Sequence, residues 1–142
     1  MNTQRAVFLT VFIGALITAL SAEPTTPKAG SPERKAIMDA LRIPVQAELK
    51  QPVIFKVDRL KVLDGWAFLG GVPLKPGGGE INYRGTVYEE AIREGAFDGG
   101  IFALLRKKDG QWQSVRYSLG ATDVPYVEWP EEFKAPAKIF EP

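Results

Sequence analysis

The sequence contains no cysteine and no histidine. Without cysteine there is no disulfide, no thiolate nucleophile, no thiolate-held metal and no lipidated cysteine, so the fold is held by packing alone. Without histidine the usual general base at neutral pH and the commonest transition-metal ligand are both missing, which excludes Ser–His–Asp chemistry and His-based zinc sites. Net charge is scarce as well. Eighteen Lys and Arg face 17 Asp and Glu, and only Arg106-Lys107-Lys108 forms a basic run. That run reads as a solvated turn, and no nucleic-acid partner is expected. No internal repeat is present. A hydrophobic fraction of 45% with 25% charged residues is ordinary globular material.

The one long apolar run is Ala6 to Leu20. Arg5 precedes it and the small residues Ala19, Ser21 and Ala22 follow, so residues 1–22 read as a signal peptide cleaved after Ser21 or Ala22. The run is too short to span a bilayer as a retained anchor. The protein is therefore expected in the periplasm or secreted medium, with no stable membrane insertion after cleavage. Residues 23–30, rich in Pro and Thr, read as a disordered spacer. About 120 residues remain after cleavage, enough for one modest core, and residues 31–142 form a single domain.

Ser31-Pro32-Glu33 starts a helix with a hydroxyl cap, a pre-set φ and an acid at the positive end of the dipole. Ile37, Ala40, Leu41, Val45 and Leu49 give it one apolar stripe, and Pro44 predicts a kink or two helices end to end. Val53 to Leu63 alternates with a change of parity near Asp58-Arg59, which predicts a β-bulge. Asp64-Gly65 turns this strand into Trp66 to Val72, and the glycine triplet 77–79 reads as a flexible flap. Thr86 to Glu89 has capping-box spacing for a short helix ending at Glu94. Ile101 to Arg106 and Gln111 to Gly120 make a second hairpin. From about residue 121 the prolines and the rings Tyr126, Trp129 and Phe133 predict irregular chain pinned by aromatics. The sum is an α+β domain, a kinked N-terminal helix on a four-stranded antiparallel sheet of two hairpins, with a short helix between strands 2 and 3 and with one apolar face on the strands.

Ser31-Pro32-Glu33-Arg34-Lys35, Leu41-Arg42, Pro44-Val45, Gly65 to Phe68, Phe97 to Gly100, Phe102 to Leu104 and Gly120 to Asp123 together resemble a family of small exported bacterial proteins with no established activity. The layout also resembles the cystatin-like and NTF2-like group. That likeness implies a helix on a curved antiparallel sheet, an architecture that hosts enzymes, protease inhibitors and binding modules alike.

Five residues stand out as ligand-binding candidates. Asp98, between Phe97 and Gly99-Gly100, offers a carboxylate, although Asp before Gly is first of all a turn former. Asp123 after Thr122 has the same two readings. Arg116 on an apolar strand face would hold an anion; by default it faces solvent. Tyr83 and Trp129 belong to a set of large rings suited to a contact surface, whereas Trp66 and Trp112, each following a hairpin turn, read as matched core plugs. No catalytic residue, metal ligand or cofactor is assigned. The leading reading is an exported non-catalytic module that binds a partner protein or envelope component. The alternatives are a small-molecule pocket with carboxylate or tyrosine chemistry and a cystatin-like inhibitor.

Overall fold

The computed structural model describes Gly14 and residues 21–142, so the signal-peptide reading lies almost wholly outside the described residues. Helix α1 (Pro32–Leu49) begins where the sequence places it: Ser31 is extended, its Oγ accepts from the Arg34 amide at 3.3 Å, and Pro32 occupies the first turn. Ile37, Ala40, Leu41, Val45 and Leu49 are all buried. The helix runs through Pro44 as one element of 18 residues rather than two. It stops at Lys50, whose positive φ turns the chain while its amide bonds the Gln46 carbonyl at 2.8 Å. Two side chains fasten this corner, Arg42 Nε donating to the Val53 carbonyl (2.8 Å) and Gln46 Oε1 accepting from the Val53 amide (2.9 Å).

The sheet is an antiparallel meander of β1 (Ile54–Leu63), β2 (Trp66–Leu74), β3 (Ile101–Lys108) and β4 (Gln111–Leu119), in that spatial order. The fold is α+β, with short helix α2 (Glu89–Arg93) between β2 and β3. Asp64-Gly65 and Asp109-Gly110 turn with near-identical positive φ values (51° and 76° in each), the geometry of two-residue turns that match strand twist. The bulge read from the parity change falls at Asp58. A second bulge, unforeseen, places Val115 of β4 out of register against Leu104 and Leu105. Both outer strands thus carry one extra residue, which bends them and blunts the edges against further pairing.

Three expectations are corrected. First, the sheet is apolar on both faces. One face packs α1 through Leu60, Val62, Ala67, Leu69, Ala103 and Leu105; the other buries Trp66, Phe68 and Leu104 under the C-terminal segment. Trp66 and Trp112 are both core residues but plug opposite faces, because Trp112 stands one position further from its turn. Second, the tail is not irregular throughout: it forms α3 (Trp129–Phe133) and a 3₁₀ turn (Ala137–Phe140), and buries Trp129 of the first, Ile139 of the second and Ala135 between them. Third, residues 23–30 are placed rather than loose. Thr25 exchanges two backbone bonds of 2.8 Å with Val62, and Thr26 Oγ1 donates to the Leu60 carbonyl (2.8 Å), so the segment covers part of the open edge of β1. Locally, the glycine triplet closes a tight turn through Lys75 N–H to Gly79 O at 2.7 Å. The capping box is displaced: Thr86 Oγ1 accepts from the Tyr88 amide, while Glu89 reaches back to Gly85 rather than Thr86.

Candidate functional site

The five candidates divide between two surface grooves. Asp98 and Tyr83 meet in the first, of about 340 Å³, which they line with Pro73, Glu80, Ile92 and Phe97. Asp98 sits where the chain enters β3. Its amide bonds the Gly120 carbonyl (3.1 Å), and its Oδ1 accepts from the Gly100 amide (2.7 Å). The turn role read from the sequence is therefore real, and it occupies one carboxylate oxygen while the residue stays exposed. Gly120 is the reason Phe97 can lie where it does, for a Cβ there would collide with the Phe97 ring. Phe97 in turn meets Tyr83 edge-on, ring centres 4.8 Å apart, and Tyr88 at 5.6 Å. Desolvation in this corner pushes the Tyr83 phenol up to about 12, so it is a neutral hydroxyl at any physiological pH.

Among the described residues neither lysine nor arginine lines this groove; its charged groups are the carboxylates Glu80 and Asp98. Two acids beside two aromatic rings attract a cation by charge and by the negative ring faces. Sequence reasoning missed Glu80, an isolated acid after a glycine run, and treated Phe97 only as a neighbour of Asp98.

The second groove, about 380 Å³, gathers Arg116, Asp123 and Trp129 with Glu128 and Glu132. Here the candidates are largely committed to structure. Arg116 pairs with Glu132 of α3 at 2.7 Å and lies over the Phe133 ring (4.9 Å), which ties β4 to the tail. Trp129 is only 4% exposed, a plug in the tail-side core rather than a contact ring. Asp123 is exposed at the rim.

A third feature was not legible at all. Glu48, on the last turn of α1, accepts short hydrogen bonds from both Tyr88 and Tyr117. Burial first, then these bonds to the carboxylate, raise both phenols well above their ordinary value. The three side chains come from α1, the segment before α2 and β4, and they lock those elements together beside the first groove. No described helix is long and apolar enough to cross a membrane. No known protein family, characterised protein or solved structure matches the chain.

Proposed function

We propose that this chain is an exported binding module that recognises a cationic group, an ammonium or guanidinium, in the groove of Glu80, Tyr83, Phe97 and Asp98. The observation that carries the reading is the convergence of two carboxylates and two aromatic rings on one groove that no basic side chain among the described residues lines. Its volume of about 340 Å³ suits a lysine or arginine side chain or a small amine. Export rests on the apolar run behind Arg5 and on the small residues at 19, 21 and 22. The role of the groove is recognition: the phenol stays protonated, and one oxygen of Asp98 is held by the Gly100 amide.

The test is a titration followed by heteronuclear NMR, with one arm of lysine- and arginine-containing peptides and one of free diamines. Shifts at residues 80–99 are expected, weakening as salt rises because the contact is largely electrostatic. Glu80→Gln with Asp98→Asn should abolish them while the fold is retained, since asparagine still offers Gly100 an acceptor. Response to the peptides alone identifies a partner protein, and response to the amines a small ligand. Equal response in the double variant would remove the proposal.

A further inference from the structure

The segment that gives Tyr83 to the amine groove gives the next residue, Arg84, to a different concavity of opposite charge. This cleft, about 570 Å³, is lined by Glu48, Lys50, Lys75 and Arg84 together with Asn82 and Thr86. Three cations thus face one carboxylate, and that carboxylate already accepts from two phenols. Lys50, Lys75 and Arg84 form no ion pair among the described residues. They come from separate places in the chain, the C-terminal cap of α1, the turn after β2 and the loop before α2, so their approach is a product of the fold and not a charge run in the sequence.

The spacing of the walls is fixed from below. Gln51, next to Lys50, donates to the Asn82 carbonyl (2.8 Å) and accepts from the Asn82 amide (3.1 Å). Asn82 Oδ1 then accepts from the Arg84 amide at 3.1 Å. These bonds pin the loop that bears Arg84 to the end of the helix that bears Lys50. Lys75 is set by its own backbone bonds to Gly79 and Gly78. Like charges brought together without partners repel, and the arrangement gains most from an anion with several acceptor oxygens, which can satisfy a planar guanidinium and two ammonium groups at once.

We propose that this cleft is a binding site for a phosphoryl group, independent of the amine groove. The shared chemistry has two sources, a free phosphate compound or the headgroup of an anionic lipid, and the test separates them. In one arm the purified protein is titrated with inorganic pyrophosphate and followed by NMR at Lys50, Lys75 and Arg84. In the other it is sedimented with phosphatidylglycerol vesicles against phosphatidylcholine vesicles. Saturable shifts in the first arm, or selective sedimentation in the second, are expected to weaken about tenfold or more in Lys50→Gln/Lys75→Gln/Arg84→Gln. All three side chains are exposed, so that variant should unfold at the wild-type urea midpoint. The single variant Lys75→Gln, with a weakening of several-fold expected, serves if the triple variant does not. Absence of binding in both arms, or binding that the folded variant retains in full, overturns the proposal.

Discussion

At the scale of single residues, two glycines stand where a side chain has no room, one behind the groove wall and one in the sheet. Gly120 has φ +78° and its missing Cβ leaves room for the Phe97 ring; Gly71, on β2, would drive a Cβ into the Lys56 carbonyl across the strand pair. Gly77 and Gly78 share the left-handed conformation but face open space. The four therefore separate steric need from conformational need. Gly71→Ala is expected to cost about 1–3 kcal/mol of unfolding free energy, the range for overpacking a filled site, and Gly120→Ala about 1 kcal/mol more because its φ is also positive. Gly77→Ala should cost about 1 kcal/mol. Urea unfolding measures all three. Gly120→Ala should also displace Phe97 and so weaken amine binding, an effect that Gly77→Ala lacks. If Gly120→Ala matched Gly77→Ala in both respects, the steric account of the groove wall would be wrong. Of the candidate residues, Asp98 was legible because Asp-Gly-Gly is a local turn signal, whereas Glu80 was not, because nothing near it in sequence reports what lies opposite.

At the scale of elements, the helix, the two hairpin turns and the Asp58 bulge were legible because each is written in neighbouring residues: a cap, a periodicity, an Asp-Gly pair, a parity change. The Val115 bulge does shift the parity of the helix-facing residues, from Trp112 to Tyr117 and Leu119, but a single tryptophan ahead of it is too short a run to be read as a face. The Glu48 contacts were hidden because Tyr88 and Tyr117 lie 40 and 69 residues from Glu48. Those contacts have a consequence at high pH. Tyr83, Tyr88 and Tyr117 are all raised from an ordinary value of 10.0, with desolvation the largest cause for each. In the unfolded chain they lose protons near pH 10 while the folded chain keeps them, so above that point the unfolded state binds fewer protons and stability falls. The contribution is intact below pH 10 and lost as pH rises toward and past about 12, the value for Tyr83. Urea midpoints across this window should drop for the wild type and drop less for Tyr83→Phe/Tyr88→Phe/Tyr117→Phe. An unchanged slope in the triple variant would show that the alkaline loss originates elsewhere.

At the scale of the molecule, the sheet is the middle of three layers, with α1 on one side and the C-terminal segment on the other. Sequence reasoning found the first layer and undervalued the third, because proline-rich chain carries no periodicity from which burial can be read. The rings were there, but their number does not say which face they cover. In the fold, Phe68 of central strand β2 packs against Tyr126 and Phe140, ring centres 4.7 Å away in both cases. Arg59 lies over the Phe68 ring (4.7 Å) and donates to the Tyr126 hydroxyl (3.3 Å). Lys61 reaches the last two carbonyls of the chain, and Arg116 holds Glu132. The tail is thus fastened to both outer strands and fills the face between them. Because β2 is buried on both faces, its pairing with β1 and β3 depends on that cover. A chain ending at Gly120 would expose Trp66, Phe68, Phe102 and Leu104 as one patch, and it should not fold cooperatively; it should bind a hydrophobic dye and aggregate. Within the intact chain, Ile139→Ala removes a fully buried side chain from the same layer and should cost about 2–4 kcal/mol in urea unfolding. The two results are read together. Were the truncated chain to unfold with the wild-type midpoint and slope, the tail would be an appendage, and the domain would have to be redrawn as a two-layer fold with one face open to a partner. A truncated chain that collapses, with a costly Ile139→Ala, instead closes the tail-side face to ligands, since that face could not be uncovered without unfolding the protein.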